Sequence, residues 1–307
     1  MDWPTWQQGT VTALLFGSAA LVLRPGVLGR GALRRGTPRA EVPRRAQVVA
    51  GAASVEIALL AVLYAIWRVA RELPLATTGG AIERARQIDR LQHTLHLPSE
   101  LSLQHFVLDH QWLGRFLNYY YAILHVPALI VFLVWLFVRH RDHFPHWRNG
   151  LAILTGFCLV IRFVRVAPPR FLPDLGYIDL ATRFGMSVYG PAGTGVSDQL
   201  AAMPSIHVGW AAVVSFGIVA ATTSRWRWLA LAHVVLTSLA VSATGNHWWM
   251  DGIVAIALLG VALQLDTAGR RFVAGVRARR VALAMTDGKP MQEVTELDPA
   301  LQRVAGP

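Results

Sequence analysis

The chain has 307 residues, 54% of them hydrophobic and only 15% charged, with a mean hydropathy of +0.41. Soluble proteins carry about 25% charged residues, and a soluble chain this apolar would expose patches it has no polar surface to cover, so a water-soluble multidomain architecture is excluded. The net charge of +11 does not point to nucleic acid, because a nucleic-acid binder concentrates its charge on one face and here the arginines fall mostly between apolar stretches.

In chain order, seven segments reach or approach the roughly 20 apolar residues that a transmembrane helix needs: about 3–23, 46–70, 116–138, 150–166, 203–222, 226–243 and 248–265. The expected fold class is therefore all-α, a polytopic membrane helix bundle of about six to seven transmembrane helices. The first segment contains Gln7 and Gln8 and follows Asp2 with no basic cluster, so it does not read as a signal peptide. In the connection 71–115, Ile82, Ala85, Ile88, Leu91 and Leu95 recur at helical spacing. That predicts an interfacial amphipathic helix, read as a brace across the bundle in preference to a lid over a lipid-entry site. The expected domains are 1–70 (two spans and a basic loop), 71–267 (a catalytic membrane domain) and 268–307 (a basic tail, disordered from about Thr286).

Arginine sets the expected orientation. Arg24, Arg30, Arg34, Arg35, Arg39, Arg44 and Arg45 crowd the first connection, Arg139, Arg141 and Arg148 the third, and Arg225 and Arg227 the fifth. Arg270, Arg271, Arg277, Arg279 and Arg280 follow the last span. With seven spans all four stretches share one side, which is then cytoplasmic. The connections 71–115 and 167–202 and the turn near His247 face outward.

Chemistry concentrates on that outward side. Met203, Pro204, Ser205, Ile206 and His207 open the fifth span, with Pro204 expected at the first helical position and free N–H groups making an anion site to which Ser205 adds a hydroxyl. His247 and Asp251 open the seventh span, four apart and so on one helical face. The chain crosses inward after His207 and returns at His247, so both histidines are expected at one membrane boundary. Arg162, Arg165 and Arg170 end the fourth span on the same side, where ionisable groups pair or serve a function. Two histidines, a carboxylate and several arginines suit phosphoryl transfer without metal or cofactor. One imidazole attacks phosphorus, the other moves protons, and cations neutralise the phosphoryl oxygens. Cys158, the sole cysteine, excludes a disulfide and a cysteine-based metal centre.

These segments resemble the type 2 phosphatidic acid phosphatase superfamily, especially its inositol-phosphorylceramide synthase branch. Pro204, Ser205 and His207 match the second motif, and His247 and Asp251 the third. The stretches 202–210 and 166–169 resemble the synthase branch. The resemblance implies His247 as nucleophile, Asp251 as its orienting partner and His207 as general acid/base. It extends in outline from about residue 80 to 265. The first motif departs: seven residues separate Arg162 from Arg170, Phe171 stands where proline is usual, and Val241 replaces the usual arginine six residues before His247. Arg170 is the first choice for holding phosphate, with Arg165, Arg162 and Ser205 behind it. His125, Asn246 and Tyr121 are candidate pocket-lining residues.

The implied substrate is a membrane lipid phosphate, with water or an alcohol or polyol as acceptor, handled at the outer face of the plasma membrane by an enzyme that binds no nucleic acid. A non-catalytic lipid-phosphate binding or transport protein is the alternative. A metal-dependent phosphotransferase would need clustered carboxylates, and Asp174, Asp179 and Asp198 are scattered through a loop. His140, His143 and His146 read as a polar cytoplasmic loop, His233 as structural, and the tryptophans Trp3, Trp6, Trp147, Trp226, Trp248 and Trp249 as an interfacial belt.

Overall fold

A computed structural model of the protein describes residues 5–23, 38–72, 80–184 and 199–286. The chain divides into two compact units, Met1–Thr77 and Thr78–Pro307. In the first, α1 (Trp6–Val22) packs along α2 (Pro38–Glu72). Thr5 starts α1 with a capping box closed by Gln8, which satisfies two N–H groups that a helix start leaves unpaired.

The second unit contains α3 (Ala81–Thr94), α4 (Glu100–Asp109), α5 (Gln111–Tyr119), α6 (His125–Arg139) and α7 (Phe144–Ile161). After them come the short α8 (Leu180–Arg183), then α9 (Ile206–Ala221), α10 (Leu231–Ala243) and α11 (Trp249–Thr286). The described residues are all-helical apart from loops and one parallel bridge between Val166 and Ala201. Among them, Ala46–Ile66, Arg225–Ala243 and Trp249–Leu283 are long and apolar enough to cross a membrane, and α6 and α9 are shorter apolar helices.

Each expected span falls on a helix, but several ends move. A π-helical turn, Tyr120–Leu124, joins α5 to α6. Pro127 has no N–H to offer the carbonyl of Ile123, and the widened turn lies where that bond would be missing. The fourth span stops at Ile161 with Arg162 as its C-cap, because the chain then turns out to pair Val166 with Ala201. The last helix continues beyond 265 to Thr286, carried on by helix-favouring Ala and Arg. The expected boundary at 267 thus falls inside one helix, and the segment after Thr286 lies outside the described residues.

The outer connection holds α3, α4 and the start of α5. As an interfacial amphipathic helix would, α3 leaves Ile82, Leu91 and Leu95 exposed, while it buries Ala81, Ala85 and Gln92. Polar anchors set its roll: Arg84 Nε donates to the Arg165 carbonyl at 2.5 Å, and Gln92 Oε1 accepts from the Met250 N–H at 2.9 Å. Ala81 and Ala85 pack in a cluster with Ala167, Leu172, Tyr177 and Trp248. Trp248 is accordingly core and not belt, as is the buried Trp147; the Trp248 Nε1–H donates to the Ala167 carbonyl at 2.9 Å.

Between helices, small residues permit the close approach on which membrane packing depends. A Cβ on Gly150 of α7 would meet Leu263 of α11 at 2.6 Å. Just beyond, the buried Asp266 lies 2.6 Å from His146 Nδ1 and accepts from Asn149 Nδ2 at 2.6 Å and Arg270 Nε at 2.7 Å. His146 is thus a helix-to-helix tie rather than part of a polar loop. Gly150→Val should overpack this contact at a cost of about 1–3 kcal/mol, read as a lower unfolding midpoint in detergent. An unchanged midpoint would show that α7 and α11 are not this close.

Candidate active site

The turn from α10 into α11 is dictated locally by Gly245. It adopts φ +70°, a left-handed conformation that costs glycine little, and α10 ends there in a Schellman motif. The Gly245 N–H donates to the Ser242 carbonyl at 3.0 Å and the Asn246 N–H to the Val241 carbonyl at 2.9 Å. The His247 N–H reaches the same Val241 carbonyl at 3.1 Å. Two consecutive residues are thereby aimed before α11 begins.

α11 starts at Trp249, so His247 and Asp251 are not successive turns of one helix as the spacing suggested. His247 precedes the helix and Asp251 folds back over its start. Asp251 Oδ2 accepts from the Trp248 N–H at 2.9 Å and lies 3.3 Å from His247 Nδ1. The closer partner of Nδ1 is the Ala202 carbonyl, at 2.8 Å. A carbonyl only accepts, so Nδ1 carries the hydrogen and the neutral ring presents the lone pair of Nε2.

Ala202 is held in turn. The Val166 N–H donates to the Leu200 carbonyl at 2.9 Å, the Ala202 N–H to the Val166 carbonyl at 3.1 Å, and the Ser205 N–H to the Asp251 carbonyl at 3.1 Å. Helix α9 then begins at Ile206 with Ser205 as N-cap. Pro204 therefore precedes the cap instead of occupying the first helical position. Ser205 is fully buried, and its hydroxyl oxygen accepts from the Val208 N–H at 3.4 Å. Two residues along, the His207 ring lies 5.6 Å, centroid to centroid, from the His247 ring.

Arg170 sits in a short 3-10 turn, Pro169–Phe171, docked on the Gly245 turn by its own N–H, which donates to the Gly245 carbonyl at 3.0 Å. Its side chain is buried and donates to Asn246 Oδ1, while Asn246 Nδ2 donates to Thr244 Oγ1 at 2.7 Å. Asn246, next to His247 in the chain, thus holds the Arg170 guanidinium. Phe171, at the position where proline was expected, lies with its ring 5.3 Å from the Arg170 guanidinium carbon. Arg165 is buried and its backbone carbonyl anchors Arg84, and Arg162 caps α7.

His125, at the start of α6, is buried with its ring 5.0 Å from that of His207. The side chain of Tyr121 lies outside the described residues. His233 Nδ1 lies 2.5 Å from the Tyr120 hydroxyl oxygen, a tie between the π-turn and α10. Asp174 pairs with Arg86 at 2.7 Å and Asp179 accepts from Thr182; Asp198 lies outside the described residues.

The sequence profile of the PAP2 superfamily matches residues 86–265, more than half of the chain. The chain belongs to the PAP2 superfamily. No curated protein and no solved structure matches it significantly. Membership in the PAP2 superfamily carries phosphatase or phosphotransferase chemistry at a membrane. The matched stretch contains His125, Arg170, His207, Asn246, His247 and Asp251.

Three PAP2-domain residues escaped the sequence reading: Gln92, Glu100 and Gln104. Glu100 Oε1 accepts from the Trp249 N–H at 2.9 Å, next to the Met250 N–H taken by Gln92. Gln104 bonds the Ile178 N–H and carbonyl and donates to the Ala243 carbonyl at 3.3 Å. Their buried polar side chains in an otherwise amphipathic segment were the available signal. Burial pushes the Glu100 carboxyl above its ordinary range, opposed by the hydrogen bond from the Trp249 backbone. A raised folded-state value stabilises the fold below the ordinary value of 4.5; that stability is lost as pH rises through the raised value. The unfolding midpoint of the wild type should therefore fall over this window. Glu100→Gln, which keeps an acceptor but does not titrate, should flatten the curve, and parallel curves would contradict the assignment.

Proposed function

We propose that this PAP2-superfamily protein is an integral-membrane enzyme that moves the phosphoryl group of a lipid phosphate or phospholipid through a phosphohistidine on His247. The observation that carries the reading is the pair of rings 5.6 Å apart, one of them with its Nδ1 hydrogen committed to a backbone carbonyl. His247 Nε2 attacks phosphorus and the ester bond breaks, its electron pair leaving on oxygen with a proton from His207. In the second half, the acceptor hydroxyl gives its proton to His207 and its oxygen bonds phosphorus, while the P–N electron pair returns to Nε2. Asp251 steadies the charged imidazole, in the manner of a triad carboxylate. Arg170, placed by Asn246, and the N-terminus of α9 oppose the phosphoryl charge.

Water and an alcohol are both competent acceptors in this scheme. The likeness of 202–210 and 166–169 to the inositol-phosphorylceramide synthase branch supports a polyol acceptor. The arginine distribution supports a site on the outer face of the plasma membrane.

Incubating the purified protein with phosphate-labelled phosphatidic acid and quenching should trap an acid-labile phosphoenzyme that maps to His247. His247→Ala and His207→Ala should each lower turnover by about 1,000-fold or more, and Asp251→Asn by about 100-fold or more. Vanadate should inhibit competitively. Full turnover by His247→Ala would favour a lipid-phosphate binding protein and end this reading.

A further inference from the structure

His125 is buried, and both of its ring nitrogens are solvent-inaccessible and without a hydrogen-bond partner among the described residues. An imidazole always carries at least one donor or acceptor that a buried site should satisfy. Leaving it orphaned costs free energy, so the fold retains it for a polar group that arrives.

The surroundings say where. The ring stacks on Trp210 at 5.5 Å with an interplanar angle of 5°, and Trp210 Nε1 is itself fixed by donating to Thr155 Oγ1 at 3.1 Å. Stacking sets the plane in which both nitrogens lie, so they are aimed before any ligand binds. The ring beside it, 5.0 Å away, is His207. The π-helical turn Tyr120–Leu124 ends at His125 and changes the register of everything beyond it; such turns collect at functional sites.

We infer that His125 and His207 together hold the hydroxyl group that accepts the phosphoryl group, water or an alcohol, so that His125 is a binding residue of the second half-reaction. This rests on the phosphohistidine reading above. In that step the acceptor oxygen bonds to phosphorus as the bond to His247 Nε2 breaks, and the hydroxyl proton passes to His207. His125 makes a hydrogen bond to the acceptor oxygen and ends the step in the protonation state in which it began. The first half-reaction, in which the lipid oxygen leaves, does not require it.

The test separates the two halves. Rapid-quench measurement with labelled phosphatidic acid gives the rate at which phosphoenzyme forms, and a chase with unlabelled lipid gives the rate at which it decays, in water alone and with added glycerol or myo-inositol. His125→Phe, which preserves a ring for Trp210 but no hydrogen bond, should slow decay at least about 10-fold more than formation. His125→Asn, which restores a donor and an acceptor, should recover part of the loss. The burst amplitude counts folded sites, so a misfolded fraction lowers amplitude and leaves both rates readable. Equal slowing of the two halves, or decay no slower than in the wild type, overturns the assignment of His125 alone. A wild-type protein that forms no phosphoenzyme overturns the phosphohistidine reading and this inference with it.

Discussion

The arrangement of the site depends on how the first turn of α11 is closed. A helix start leaves N–H groups unpaired, and here three successive ones are taken by side chains from three places. Trp248 is paired by Asp251 of α11 itself, Trp249 by Glu100 of α4 and Met250 by Gln92 of α3. The same carboxylate that pairs Trp248 stands 3.3 Å from His247 Nδ1. Capping the helix and orienting the histidine are therefore one event. The carbonyl of Asp251 extends the same construction to α9, because it receives the Ser205 N–H.

Hydropathy alone made the meeting of His207 and His247 legible. An apolar stretch after His207, a short turn and a second apolar stretch before His247 force the chain to cross and return, which brings both residues to one end of the bundle. Gly245 was legible in principle too, since a glycine after an apolar run is the usual end of a helix. What the sequence hid was every contact made by a backbone carbonyl or by a residue distant in the chain. Nothing about Ala202 marks its carbonyl as the closest partner of His247 Nδ1. The spacing of His247 and Asp251 suggested the right pair for the wrong reason, because they meet across a helix start and not along a helix. The arginines were the least legible: the departures from the first motif left Arg170 only a first choice over Arg165 and Arg162, and the sequence gives no sign of its docking on the Gly245 turn or its contact with Asn246.

The outer connection shows what amphipathic spacing sets in an interfacial helix and what it leaves to polar contacts. Apolar periodicity marks the face of an interfacial helix that meets the membrane, but not the contacts that fix its opposite side. For α3 polar anchors fix that side, because an unpaired N–H at the start of α11 and an unpaired carbonyl at Arg165 are each costly to bury. Gln92 and Arg84 satisfy them, and Ile82, Leu91 and Leu95 are left exposed.

Membrane helices pack through van der Waals contact, which resists separation better than it resists sliding or rotation, whereas a reaction site tolerates only about 0.5 Å of misplacement. The chain meets that requirement by pinning α11 at two levels. One is the capped first turn. The other is Asp266, bound by His146 and Asn149 of α7 and by Arg270, about 22 Å along the helix at 1.5 Å per residue. Between them Gly150 lets Leu263 lie against the backbone of α7, so the two helices meet with little room for adjustment. A helix tied at both levels can neither slide along its neighbour nor turn about its axis without breaking buried hydrogen bonds. The ties near Asp266 therefore belong to the geometry of the site, although they make no contact with it.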